Sequence, residues 1–157
     1  MKNIFYVQHK IRYEQNFSRK GIGVYSTHAL AVDVIARLRN KPGFIDPRGA
    51  FSIYCCEVDI DYWPDGLDAS QRSSMLVSVR DQAEVASSGD QLFLAYCENE
   101  NVDDDFILIG YYSTRTLAEQ AASRTNMLVP TRKRYVCDVS ISTVNRDNWV
   151  DGFGPAD

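Results

Sequence analysis

The chain has 157 residues, 45% of them hydrophobic and 24% charged, with a net charge of −4 and a pI near 5.2. This length fits one domain or two small ones and suffices for a core without staples, while the acidic balance argues against a broad phosphate-binding surface and so against a nucleic-acid partner. No run reaches the apolar length of a membrane span, and after Lys2 and Asn3 the stretch Ile4–Val7 is too short for a signal peptide; the expectation is a cytoplasmic protein without a membrane partner.

Residues 4–9 are rich in aromatic and β-branched types and predict a first strand. Residues 10–20 read as a long hairpin loop and 21–25 as a second strand. Ser26 or Thr27 then caps a helix, its side-chain oxygen accepting from an otherwise unpaired N–H. Within that helix Ala31, Val34, Ile35 and Leu38 fall at i, i+3, i+4 and i+7, a single apolar stripe. Arg37, Arg39 and Lys41 stand near its C-terminus, where the helix dipole favours cations, and Pro42-Gly43 ends it near Asn40. A third strand is expected at about 51–60. Residues 68–89 are rich in Ser, Gln and Asp, with Met75-Leu76-Val77 the one apolar cluster and Ser87-Ser88-Gly89 a flexible junction. They read as a linker carrying some order, such as a helix near 68–86. Beyond it a second helix, about 115–126, carries Leu117, Ala118, Ala121 and Ala122. In the last strand, about 135–144, Cys137, Val139 and Ile141 alternate with Asp138, Ser140 and Ser142, which predicts one buried face and one wet or interfacial face.

Three anchors recur in order. Ile4-Phe5-Tyr6-Val7 matches Leu92-Phe93-Leu94-Ala95, Gly23 to Thr27 matches Gly110 to Thr114, and Asp61 to Leu67 matches Asp147 to Phe153, at offsets of 88, 87 and 86. Both tryptophans, Trp63 and Trp149, stand in register. The expected fold is therefore α/β (α+β): two tandem ββαβ repeats, residues 1–67 and 90–157, joined by the linker 68–89 and either sharing a sheet or packed as a pseudo-dimer.

Catalytic signatures are sparse. The four cysteines, Cys55, Cys56, Cys97 and Cys137, show no CxxC spacing and are expected as buried, reduced thiols. His9 and Cys97 hold matching strand positions and would make a nucleophile pair if the units brought them together, yet no third orienting group is evident. With two histidines and no HxxxH, neither a metal nor a cofactor is implied, and no phosphate-binding or nucleophile-elbow motif occurs. Each Trp most simply covers one end of a core. Charge is the uneven feature: residues 1–67 carry net +2 and residues 90–157 net −5. The first hairpin holds Lys10, Arg12, Arg19 and Lys20 against Glu14, whereas the second holds Glu98, Glu100, Asp103, Asp104 and Asp105 with no base. The plain reading is two solvated loops. The functional one is that the five acids receive a basic protein partner.

Gly23-Val24-Tyr25-Ser26-Thr27, Lys41-Pro42-Gly43-Phe44 and Asp61-Tyr62-Trp63-Pro64-Asp65-Gly66-Leu67 resemble the markers of a family of small, largely uncharacterised bacterial ββαβ domains. The second unit carries the first and third markers and lacks Lys-Pro-Gly-Phe. The resemblance implies a fold, not an activity. Small size, acidity and the lack of a catalytic constellation suggest a non-enzymatic inhibitor, such as a bacterial immunity protein that neutralises a secreted toxin domain. The alternative is a regulatory or ligand-sensing protein that binds a small molecule between the units. A flat acidic face would favour the first, a pocket lined with aromatics the second.

Overall fold

The computed structural model describes residues 2–14, 16–62, 84–85, 87–100, 106–128 and 135–153. The elements run β1 (Lys2–Tyr13), β2 (Asn16–Tyr25), α1 (His28–Leu38), a 3-10 turn (Pro42–Phe44), β3 (Gly49–Glu57), β4 (Glu84–Val85), β5 (Gln91–Asn99), β6 (Phe106–Tyr112), α2 (Arg115–Leu128), β7 (Tyr135–Thr143) and β8 (Arg146–Asp147). The fold is mixed α+β. The order strand–strand–helix–strand occurs twice, in two separate sheets: β3-β1-β2-β8, with β4 also paired to β1, and β6-β5-β7. Among the described residues all pairings are antiparallel except the short parallel contact of β4 with β1.

Two elements depart from the sequence expectation. Residues 10–20 are strand for nearly their whole length, because Lys10-Ile11-Arg12 keeps the two-residue period: Ile11 is buried while Arg12 is exposed. Glu84–Val85 belongs to a sheet and not to the end of a linker helix; residues 63–83, and with them Trp63, lie outside the described set.

Each sheet buries one face under its own helix. Thr27, not Ser26, caps α1, accepting from the Leu30 N–H at 3.2 Å. Ala31, Val34 and Leu38 then pack on Phe5, Val7 and Ile22 of β1 and β2. Under α2, Ala118, Ala121 and Ala122 meet Ala95, Cys97 and Ile109. The other faces of the two sheets meet each other through Ile4, Val24, Cys56, Leu92, Leu108 and Tyr111, so the layers run helix, sheet, sheet, helix.

The tails after β3 and β7 each cross to the opposite sheet. The N–H groups of Asp59 and Tyr62 donate to the carbonyls of Tyr111 and Ile109 (2.8 and 2.9 Å), and those of Asn145 and Asn148 donate to Val24 and Ile22 (2.8 and 2.6 Å). Ile22 and Ile109 are the extra residues where the hairpin registers shift, so each bulge turns a carbonyl toward an incoming tail. Asp59 and Asn145 adopt positive φ, 67° and 63°, a conformation Asp and Asn tolerate better than most residues. Their side chains accept from the N–H groups of Ser113 and Ser26 (2.7 and 2.8 Å). This accounts for the Gly-x-Tyr-Ser-Thr marker. A Cβ on Gly23 would lie 2.6 Å from the Arg146 carbonyl oxygen, and one on Gly110 2.5 Å from that of Ile60, so glycine admits the crossing backbone. Tyrosine then ties it, Tyr25 donating to Asp147 (2.6 Å) and Tyr112 to Asp61 (2.5 Å).

Candidate functional site

Among the described residues three groupings stand as candidate sites. The first is the pair of tie points. Arg37 donates to Asp147 at 3.1 Å beside Tyr25, and Arg124 to Asp61 at 2.7 Å beside Tyr112. Burial, and then the bond to the carboxylate, hold both phenols well above their ordinary pKa, so they remain donors. Burial pushes Asp147 upward, but the bonds from Tyr25 and Arg37 outweigh it and keep the group below the usual carboxylate range. Each set is satisfied internally and closes one crossing.

The second grouping surrounds His9, which is 1% exposed. Its ring lies 4.6 Å from that of Phe51, 5.1 Å from Phe44, 5.6 Å from Phe153 and 6.4 Å from Trp149. The Lys-Pro-Gly-Phe turn of the first unit thereby meets the Trp-x-Asp-Gly-Phe end of the second, and the Phe153 N–H donates to the Gly43 carbonyl at 2.9 Å. Trp149 closes one end of the α1 core, as expected of it. Neither imidazole nitrogen has a hydrogen-bond partner. Burial lowers the His9 pKa below its ordinary value and Asp46 only partly opposes this. The unfolded chain therefore takes up the proton first, so stability contributed by neutral His9 is present above about pH 6.5 and falls as pH drops through the lower folded value. Urea midpoints of the wild type should decline between pH 7.5 and pH 5, and His9→Phe should flatten that decline; an equal slope in both proteins would mean that His9 does not titrate in this window.

His9 and Cys97 do not meet. They occupy matching places in separate sheets: Cys97 lies beneath α2, whereas His9 packs against Phe44 of the 3-10 turn and Phe51 of β3. Cys97 is disulfide-bonded to Cys137, which corrects the expectation of four reduced thiols and leaves no Cys–His nucleophile. The register explains the pairing: Cys97 sits directly opposite Cys137 on β7, where the other sheet sets His9 opposite Phe51. Cys55 and Cys56 remain free, and burial raises the Cys56 thiol to about 12. Among the described residues no group of three His, Cys, Asp or Glu side chains could hold a metal ion, and no helix is long and apolar enough to cross a membrane.

The third grouping is a cleft between the sheets. The starts of β1 and β5 are joined by an ion pair of Lys2 with Asp90 at 3.6 Å, and the apolar layer fills that end. Toward the hairpin turns the facing side chains become polar, and the sheets leave a cleft of about 820 Å³. One wall presents Tyr6, Gln8, Arg19 and Lys20; the other presents Leu94, Glu98, Phe106 and Tyr111, with Ser140 and Ser142 at its side. The walls differ in charge. Lys10 pairs with Arg19 across β1 and β2, and its pKa is lowered by burial and then by Arg19 and Arg12. On the facing sheet the Tyr96 phenol is raised by burial and then by Glu98 and Asp138.

Of the five acids expected to bind a partner, Glu98 is exposed on this wall and Glu100 is exposed in the turn after β5; Asp103, Asp104 and Asp105 lie outside the described residues. The basic and acidic hairpins thus border one cleft, and opposite charges already face each other within the chain. Tyr6, Phe106 and Tyr111 carried no sequence signal as site residues; Ser140 and Ser142 were marked only as members of a wet or interfacial strand face. The companion expectation for that strand fails at Ile141, which is 54% exposed on the edge strand β7. Comparison with known proteins gives no match to a family model, a curated protein or a solved structure.

Proposed function

We propose that this chain is a non-catalytic binding protein that takes its ligand in the cleft between the two sheets. The observation that carries this reading is the cleft itself: its volume lies within the range of about 300–1,000 Å³ usual for ligand sites, and aromatic rings stand beside side chains of both charges. A pocket of this kind favours the ligand-sensing alternative over a flat inhibitory face. The matched tails, bulges and tie points support an origin by tandem duplication of one ββαβ unit, assembled as a pseudo-dimer, in line with the family resemblance. The duplication would make the cleft a junction of two copies whose lining has since diverged. A cytoplasmic site of action goes with reduced Cys97 and Cys137; an oxidising compartment would keep the disulfide closed.

The test is thermal. Fractionated small-molecule and peptide extract of the native host should raise the melting temperature of the wild type. Ser140→Trp, which fills the cleft from the exposed edge of β7, should keep its own fold and lose that rise. Equal shifts in both proteins would move the ligand elsewhere.

A second reading retains the immunity-type inhibitor, because Glu98 and Glu100 are exposed at the lip and run in sequence into Asp103–Asp105. Under it, Asp103, Asp104 and Asp105 changed together to Asn slow association with a basic toxin domain and weaken its salt dependence. An unchanged on-rate would return these carboxylates to a solvated loop.

A further inference from the structure

We infer that the ligand class of the cleft is a short peptide segment bearing an anionic group at one end and a cationic group at the other. This rests on the cleft being the binding site. Three features of the lining carry it.

The first is polarity of charge. Arg19 stands on one wall and Glu98 on the other, each exposed and each among neighbours of its own sign, Lys10 and Arg12 with Arg19, Asp138 with Glu98 about Tyr96. A purely anionic ligand would be drawn to one wall and repelled by the other, as would a purely cationic one. A ligand with separated opposite charges satisfies both.

The second is the density of neutral hydrogen-bonding groups between those walls. Gln8, Ser140, Ser142 and Asn148 all line the cleft, and each offers both donor and acceptor capacity, which suits a backbone of alternating N–H and C=O groups better than a hydrocarbon body. The third is size. A volume of about 820 Å³ is near the top of the range of about 300–1,000 Å³ for ligand pockets. It exceeds what one free amino acid fills, and the partly buried rings of Tyr6 and Phe106 give an apolar side chain somewhere to lie.

The experiment uses the full chain and synthetic hexapeptides with one central tyrosine, followed by backbone amide NMR. Four kinds are compared: opposite charges at the two ends, both ends anionic, both ends cationic, and uncharged. The oppositely charged kind is made twice, once with free termini and once capped, with Lys and Glu side chains supplying the charges. The first version represents a free peptide and the second a segment within a protein. The oppositely charged peptides should bind at least tenfold more tightly than the other three kinds and shift the amides of Gly21, Gly23 and Ser140. Arg19→Glu and Glu98→Lys should each weaken binding at least tenfold. The double reversal should bind at least threefold more tightly than either single reversal, because one charge of each sign again stands across the cleft. Melting curves of the three variants check that exposed charge changes leave the fold intact.

If uncharged peptides bind as tightly as oppositely charged ones, or if the double reversal in a folded protein binds no better than the single reversals, the class assigned here is wrong while the cleft remains a binding site. If no peptide shifts any cleft amide, the class is equally overturned. Loss of the extract-induced thermal shift in Ser140→Trp would still support the cleft, and only its persistence there would remove the site itself.

Discussion

Leu38→Ala should lower the unfolding free energy by about 2–5 kcal/mol, the range for deleting a buried leucine and leaving a partly collapsed cavity. Leu38 is fully buried, as are Ala31 and Val34, and the three pack on Phe5, Val7, Ile22 and Phe44. Ile35, the fourth member of the stripe, is only partly buried, so the load falls on Val34 and Leu38. The effect should exceed that of Ala121→Ser in α2, where the buried residues Ala118, Ala121 and Ala122 have little volume to lose. Urea melts at fixed pH measure it through the midpoint at unchanged slope. A midpoint within experimental error of the wild type would mean that the stripe does not form the core beneath α1.

Opening the Cys97–Cys137 disulfide should cost about 2–4 kcal/mol. The two cysteines are 40 residues apart, and closing a loop of that length restricts the unfolded chain by about 4 kcal/mol in the chain-entropy account, with native packing able to reduce the net figure. The bond staples β5 to β7 on the face covered by α2. Four of the eight buried residues of that layer are alanines, so it has less apolar area than the layer under α1 to compensate the loss. Melts of the oxidised protein, with and without reductant, give the value; Cys97→Ala with Cys137→Ala should match the reduced wild type. Alkylation of the denatured, unreduced protein should label two thiols, Cys55 and Cys56. Labelling of four would show that the pair is open under those conditions.

What the sequence disclosed follows from how local each signal was. The helix α1 was legible because its stripe, its Thr cap and its Pro-Gly stop all lie within about five turns of helix. The glycine, tyrosine and serine of the Gly-x-Tyr-Ser-Thr marker could be seen as matched anchors, but their purpose could not. Tyr25 finds Asp147 and Tyr112 finds Asp61 only after each tail has crossed to the other sheet. The basic and acidic hairpins are visible as charge, yet the first reads as a loop because Lys10 and Arg12 hide the alternation around Ile11. The Cys97–Cys137 pair has no local spacing to announce it; strand register alone sets the two side by side. The cleft was the least legible feature. Its lining comes from β1, β2, β5, β6 and β7, with Asn148 from the second tail, and no sequence window holds more than a fragment of it.

The cleft is tested most directly by mapping backbone amide shifts of the wild type and of Ser140→Trp as the stabilising fraction of host extract is added. The expected result is a set of shifts at Gly21, Gly23, Ser142 and Asn148 in the wild type, with none of them moving in Ser140→Trp. Shifts confined to the outer faces of α1 and α2, and equal in the two proteins, would contradict it.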